Sequence, residues 1–154
     1  MHARKTMAKG FTLVEILIVV VILGILAAIV IPQFTSASQD AKKSSALSQL
    51  QTIRSQIELY KNQHNDAEPD LVTNWDQFTE YTDIDGNTNA TKTTVFKYGP
   101  YMQKAPVNPF TQGSDVAADN SADWQYVGGV FRMVVDNTIA TDLELTAEDF
   151  IAAP

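Results

Sequence analysis

The chain has 154 residues, enough for one modest globular domain and an extended segment, and 45% of its residues are hydrophobic. It contains no cysteine, which excludes disulfides, thiol catalysis and thiolate zinc sites. The formal net charge is −7, and residues 66–154 hold 15 acidic but only four basic side chains. Because phosphate binding needs clustered Lys and Arg, we expect no nucleic acid as a partner of this acidic region.

The N-terminus combines a basic leader with a long apolar run. Arg4, Lys5 and Lys9 precede Gly10, and residues 11–31 are apolar except for two side chains, Thr12 and Glu15. As a helix, this run would be roughly 31 Å long, which is the thickness of the hydrocarbon core of a membrane. Basic residues favour the cytoplasmic side. The sequence therefore predicts one membrane-spanning helix with the rest of the chain on the far side.

Two residues distinguish this run from an ordinary secretory signal. Such a signal is cleaved after its apolar part, whereas the small residue here, Gly10, lies before it. The carboxylate of Glu15 would cost roughly 2.5–3.5 kcal/mol inside a bilayer, so it needs a partner. Cleavage after Gly10 would create one, the amine of Phe11.

Residues 9–15, Lys-Gly-Phe-Thr-Leu-Val-Glu, resemble the processing site of type IV pilins and type II secretion pseudopilins. Pro32 also lies where that family has a proline. The resemblance covers roughly the first third of the chain. It implies that a prepilin peptidase cleaves between Gly10 and Phe11 and methylates the new amine of Phe11. It also implies that Glu15 and Pro32 act in the assembly of a helical homo-oligomeric filament on an inner-membrane platform.

Beyond the apolar run, the helix is predicted to continue to about residue 62. Apolar side chains recur at spacings of three and four, as in a helix with one buried stripe: Leu47, Leu50, Ile53, Ile57 and Tyr60. The pattern lasts under three heptads, which favours packing on the protein's own sheet over a coiled coil. Pro32 is predicted to kink or loosen the helix, either as a static bend or as a segment that extends within a filament.

The strongest strand signal is a hairpin. Residues 124–127 and 130–135 are rich in β-formers and are separated by Gly128 and Gly129, which is typical of a tight two-residue turn. The remaining predictions concern residues 66–154. They are a short helix from about residue 74, a turn at 83–89, a strand at 95–98, an ordered loop at 100–113, an edge strand at 139–145 and a helical turn capped by Thr146.

No pattern of a known enzyme is present. The nucleophile elbow, the P-loop, the zinc-protease helix and the paired-cysteine motif are all missing from the sequence, so we predict no catalysis. His64 lies in a polar stretch and is interpreted as a solvated surface residue.

Two acidic clusters offer the oxygen ligands that Ca²⁺ prefers. The first precedes the hairpin and the second follows it: Ser114, Asp115, Asp119 and Asp123, or Asp136, Asn137 and Asp142. Some pseudopilins bind calcium in a late loop that normally follows a hairpin, so both clusters stay open, as does a solvated loop without metal. Residues 83–94 begin like an EF-hand loop, but Gly86 and Thr94 occupy the wrong positions.

Together these features predict an α+β pilin fold, a long N-terminal helix packed against a small antiparallel sheet. The expected role is a structural subunit of a type II secretion pseudopilus in the inner membrane, with the head periplasmic. A type IV pilus subunit is the alternative, and a solitary membrane-anchored binding module is an alternative of another class. The predicted segments are a leader (1–10), a membrane and filament-core helix (11–32), its amphipathic continuation (33–65) and an extracytoplasmic head (66–154).

Overall fold

The computed structural model describes residues 10–154. The chain forms two compact units, the first ending at Ser38 and the second covering Gln39–Pro154. The elements in chain order are α1 (Leu13–Gln63), α2 (Asp76–Thr79), β1 (Tyr81–Thr82), β2 (Thr88–Asn89), β3 (Val116–Ala117), β4 (Trp124–Val127), β5 (Val130–Val135), α3 (Asn137–Asp142) and β6 (Phe150–Ala152).

Helix α1 is 51 residues long and confirms the predicted long helix. Its C-terminus has a defined stop, because Asn65 and Asp66 both take left-handed backbone angles, with φ of 54° and 66°. The amide of Asp66 then donates to the carbonyl of Lys61 at 2.8 Å. Pro32 lies inside α1 without ending it, and the predicted kink there stays a prediction.

The part of α1 within the second unit, residues 39–63, is called the stem, and it buries one stripe of apolar side chains. The predicted stripe is confirmed, with Leu47 partly buried and Ala46 as an additional member. These side chains share a core with aromatic and aliphatic residues of the head, chiefly Leu71, Phe78, Trp124, Tyr126, Phe131, Met133 and Val135. The amphipathic spacing of the stem therefore produces its packing on the sheet.

The sheet directions differ in part from the expectation. Strands β1 and β2 form a small antiparallel pair, and β4 and β5 form the predicted hairpin. The four-stranded sheet, in the order β3-β4-β5-β6, is mixed, because both outer strands pair in parallel. A parallel pair needs a crossover rather than a hairpin, and the chain between β5 and β6 supplies one that contains α3. The α+β arrangement stands, with a mixed rather than purely antiparallel sheet.

The hairpin turn shows why two glycines occur together. Gly128 and Gly129 have φ of 55° and 76°, a pair of positive values that residues with a Cβ adopt only at a cost. Cross-strand neighbours are Trp124 with Met133 and Tyr126 with Phe131, so the large side chains of both strands face the same core.

Two local predictions were wrong. Residues 139–145 do not form a strand, because Asp136 caps a helix: its carboxylate accepts a hydrogen bond from the amide of Thr138 at 2.8 Å, and α3 begins at Asn137. The edge strand is β6 instead. Residues 95–98 form no strand beyond one bridge between Tyr98 and Thr82. The predicted helical turn after Thr146 is present as a single turn that leads into β6, with the amides of Asp149 and Phe150 donating to the carbonyl of Thr146 at 3.0 and 3.1 Å.

Candidate functional site

The predicted cleavage site lies just ahead of helix α1. Gly10 and Phe11 are exposed, Phe11 to 83%, and the helix begins two residues later at Leu13. Among residues 10–154, and apart from the adjacent residue of the chain, no heavy atom lies within 4 Å of the position that a Cβ on Gly10 would occupy. Both residues of the Gly10–Phe11 bond are thus exposed and lie outside the helix. The basic residues Arg4, Lys5 and Lys9 lie outside the described residues.

Glu15 and Thr12 form a reciprocal cap at the start of α1. The Glu15 carboxylate accepts hydrogen bonds from the backbone amide of Thr12 at 2.8 Å and from its hydroxyl at 2.9 Å. In return, the amide of Glu15 donates to the Thr12 hydroxyl at 3.2 Å. This is the capping-box arrangement, which satisfies amides that the first helical turn leaves without partners. Glu15 therefore has a local partner in the single chain.

The part of α1 that follows Thr12 presents an apolar surface on every side up to Ile31. The large aliphatic residues from Leu13 to Ile31 are all exposed, and so is Phe34. Within residues 10–154, α1 is the one helix long and apolar enough to span a membrane. Soluble monomers rarely expose a continuous apolar surface of this size, so it requires lipid or other apolar helices around it.

Arg54 joins the stem to the head through an ion pair and hydrogen bonds. Its guanidinium binds the carboxylate of Asp149 at 2.9 Å and donates to the carbonyl of Phe131 from two nitrogens, at 3.1 and 2.9 Å. It also donates to the carbonyl of Glu148 at 2.6 Å. A second stem residue, Lys43, donates to the carbonyl of Leu143. Basic side chains of the stem thus hold the C-terminal third of the chain.

His64 is buried, contrary to the interpretation as a solvated residue. It is 1% exposed and stacks on the ring of Tyr60 with centroids 3.8 Å apart. One ring nitrogen lies 2.9 Å from the carbonyl of Tyr60 and the other 3.0 Å from the hydroxyl of Thr82. Burial also raises the pKa of Tyr60 to about 12. His64 joins the end of α1 to β1 and has no open position for a ligand.

Two carboxylates of the first acidic cluster accept hydrogen bonds from backbone amides of their own loop. The carboxylate of Asp123 accepts a hydrogen bond from the amide of Asp115 at 2.9 Å and lies against Gly113, where a Cβ would come within 2.0 Å of it. The carboxylate of Asp119 accepts from the amide of Ser121 at 3.0 Å, and hydrogen bonding to Ser121 lowers the pKa of Asp119. The carbonyl of Ser114 accepts from the indole of Trp75.

The second acidic cluster is likewise structural. Asp136 is the cap of α3, Asn137 is the first residue of that helix and Asp142 the last. Hydrogen bonds from Thr138 lower the pKa of Asp136. Near the small sheet, Asp83 accepts from the amides of Asp85 and Asn87.

Among residues 10–154, no group of three or more His, Cys, Asp or Glu side chains is arranged to hold a metal ion. Calcium prefers six to eight oxygen ligands, which include backbone carbonyls and side-chain amides as well as carboxylates. The carboxylates of Asp119, Asp123 and Asp136 accept amide hydrogen bonds, and calcium binding at either cluster stays a prediction.

Asn108 was not singled out from the sequence. It is fully buried, and its amide nitrogen donates to the carbonyls of Asp123 and Val134 at 2.7 and 2.9 Å, while its oxygen accepts from the amide of Phe110 at 2.9 Å. Asn108 therefore ties the loop before β3 to β5 and to the residue that precedes β4. Its place between two prolines indicated an ordered loop but not these partners.

Comparison with known proteins finds similarity chiefly in the N-terminal segment of the chain. A family model described as the prokaryotic N-terminal methylation motif matches residues 5–31. A type II secretion system core protein G from Pseudomonas aeruginosa is 45% identical over 58 residues, which cover 38% of this chain and 41% of that protein. A protein of the same name from Aeromonas hydrophila is 28% identical over 107 residues, 70% of this chain and 71% of that protein.

A type IV major fimbrial protein FimA from Dichelobacter nodosus is 46% identical over 54 residues, 35% of each chain. The chain thus spans less than half the length of the Pseudomonas and Dichelobacter relatives that it matches. No solved structure matches the chain. The matched segment contains Gly10, Phe11 and Glu15. Over this segment the chain carries the prokaryotic N-terminal methylation motif, and it is similar to core protein G of type II secretion systems and to a type IV fimbrial protein.

Proposed function

We propose that the chain is a structural subunit of a type II secretion pseudopilus, assembled from the inner membrane to support protein secretion. The observation that carries this proposal is the exposed apolar surface of residues 11–31, directly behind an open Gly10–Phe11 bond. Two of the relatives described above are named as core proteins of that secretion system, which supports the proposal.

Processing would begin at Gly10. Glycine has no side chain to obstruct the approach of a protease, and this bond lies before the first helical turn. A prepilin peptidase on the cytoplasmic face would remove residues 1–10 and methylate the amine of Phe11. The apolar helix would then become the N-terminus of the mature subunit, with its charged amine close to Glu15.

Glu15 would set the register between subunits. Its carboxylate is four residues from Phe11, which is about 6 Å of rise along one helix and gives a poorly directed contact to its own amine. In a staggered bundle of identical helices, the amine of a neighbouring Phe11 approaches the carboxylate more directly. Because an unpaired charge in an apolar core is costly, subunits would assemble where this pair forms.

Each remaining segment would have its own role in the membrane, in the filament or in the periplasm. Residues 11–32, including Pro32, would span the membrane before assembly and form the filament core afterwards. Residues 33–65 would continue this helix to the head, and residues 66–154 would form the head in the periplasm. The partners would be other copies of the chain, the prepilin peptidase and the inner-membrane assembly platform.

A type IV pilus subunit is the second candidate, because the chain is also similar to a type IV fimbrial protein over its N-terminal third. Deletion of the gene separates the two roles. A pseudopilus subunit is required for export of secreted proteins, whereas loss of a pilus subunit removes surface pili and leaves export intact.

Intact-mass measurement of the protein isolated from membranes tests the proposal. We expect the mature protein to begin at Phe11 with one added methyl group, and Gly10→Leu to remain at full length. Gly24→Leu is the matched control, since a Cβ at Gly24 also meets no atom within 4 Å outside its own helix backbone, and this glycine lies beyond the cleavage site. A mature protein that begins after residue 32 would show a conventional signal peptide and contradict the proposal.

A further inference from the structure

The second unit has a groove between the stem and the loop that precedes Asn108. Its volume is about 480 Å³, and it is lined on the stem side by Ser48, Gln49 and Thr52 and on the other side by residues 101–107. We call it the 101–107 groove. The stem contributes small and polar side chains, and the loop contributes the apolar surface of Met102, Pro106 and Val107, the last 44% exposed.

The groove is held open by bonds at both ends of its loop. The amides of Tyr101 and Met102 both donate to the carbonyl of Phe78 at 2.9 Å, and the hydroxyl of Tyr101 donates to the side chain of Gln63 at 2.7 Å. At the other end, the indole of Trp124 donates to the carbonyl of Pro106 at 3.3 Å. A partner would therefore meet a surface that is already formed.

One positive charge marks this groove. Lys104 is exposed and is one of four basic residues in a region with 15 acidic ones. Across residues 10–154, the salt bridges join Arg54 to Asp149 and Lys61 to Glu58, so Lys104 has no acidic partner among these residues. An apolar groove with a free cation fits an apolar side chain that is accompanied by a carboxylate.

The chain carries such a side chain on a different loop. Ile84 is 39% exposed, and among the exposed large aliphatic residues of the head it alone has acidic neighbours on both sides, Asp83 and Asp85. The loop is rigid, because Asp83 accepts from the amides of Asp85 and Asn87 and from the side chain of Asn87 at 2.8 to 3.0 Å. Ile84 is thus presented on a fixed turn.

We propose that Ile84 of one copy of this chain inserts into the 101–107 groove of a neighbouring copy, with Asp85 pairing with Lys104. A protrusion and a pocket at different places on one molecule make a heterologous contact, which repeats into an open helical assembly rather than a closed dimer. This inference rests on the proposed filament and identifies a contact between its heads.

Disulfide crosslinking tests the contact, since the chain has no cysteine of its own. Two full-length chains with tags of different size, one with Asp85→Cys and one with Gln103→Cys, are produced together in filament-forming cells. The matched control pairs Gln103→Cys with Asp142→Cys, another exposed acid of the head. We expect mixed dimers at least about tenfold above the control, because a seated partner raises the local thiol concentration.

Charge reversal gives a second readout. Lys104→Glu or Asp85→Lys places like charges together and is expected to reduce filament yield, and the two changes combined should restore it. Filaments with crosslinking no higher than the control, or no recovery in the combined variant, would overturn the inference and leave the proposed function standing. A failure of the unsubstituted chain to form filaments would overturn both.

Discussion

The guanidinium of Arg54 and the carboxylate of Asp149 meet at 2.9 Å, although 95 residues separate them in the sequence. The same guanidinium also binds the carbonyls of Phe131 and Glu148, so one side chain holds both β5 and the turn before β6 against the stem. Loss of Arg54 would therefore loosen the C-terminal part of the head as a unit.

The first prediction concerns this clamp. Arg54→Met keeps the apolar part of the side chain and removes its hydrogen bonds. We expect this change to lower the free energy of unfolding by about 1–3 kcal/mol. Solvent screens the partly exposed ion pair, so most of this loss should come from the carbonyls. Urea unfolding of the full-length protein in detergent measures it. Lys61→Met is the control, because Lys61 forms one pair within its own helix, and an equal effect of both changes would contradict the clamp.

The second prediction concerns His64. His64→Ala removes the stack on Tyr60, leaves the hydroxyl of Thr82 without its partner and opens a cavity, so we expect a loss of about 2–4 kcal/mol in unfolding free energy. The midpoint of urea unfolding reports this change. Asn62→Ala, an exposed position nearby, should leave the midpoint almost unchanged. If His64→Ala unfolded at the wild-type urea concentration, the buried role of His64 would be rejected.

The helical and hairpin signals in the sequence were local, which explains their success. The stem stripe follows from spacings of three and four, and the tight turn follows from Gly128 and Gly129. His64 and Arg54 were misjudged or overlooked because their partners, Thr82 and Asp149, are distant in sequence. No local pattern shows that a histidine at the end of a helix will be covered by another element.

The region after β5 shows a different source of error. Ile139 and Thr141 favour a strand by propensity, but the carboxylate of Asp136 binds the amide of Thr138 and starts a helix. The sequence carries the signal for this cap, because Asp is a preferred N-cap residue and Asp136 directly precedes Asn137. Cap chemistry here outweighs the propensity of the β-branched residues.

The third prediction concerns pH and Asp136. Its folded-state pKa lies below the ordinary value of 3.8, because the ionised carboxylate accepts hydrogen bonds from Thr138. The stabilising contribution is therefore fully present above that ordinary value and is lost as pH falls through the lower folded-state pKa. Melting curves of wild type and Asp136→Asn should differ in their pH dependence within this acidic range. Parallel curves for Asp136→Asn and wild type would contradict the assignment.

The fourth prediction concerns calcium. If one of the acidic loops binds it, calcium at a hundredfold excess over Kd would stabilise the protein by about 2.7 kcal/mol, and the melting temperature would rise and then fall with a chelator. Asp115→Ala combined with Asp119→Ala should remove that rise. Loss of the rise in Asp142→Ala alone would instead assign the site to the loop after the hairpin, and unchanged melting across millimolar calcium would reject a calcium site.

The central claim is that the charge of Glu15 directs subunits into a filament, and electron microscopy of filaments sheared from cells that overproduce the chain tests it most directly. Glu15→Leu removes both the charge and the cap with Thr12, whereas Glu15→Gln keeps a capping side chain and removes only the charge. We expect both variants to be cleaved after Gly10, as intact mass will show, and both to lose filaments. Normal filaments from Glu15→Gln would contradict the pairing of this carboxylate with a neighbouring Phe11 amine.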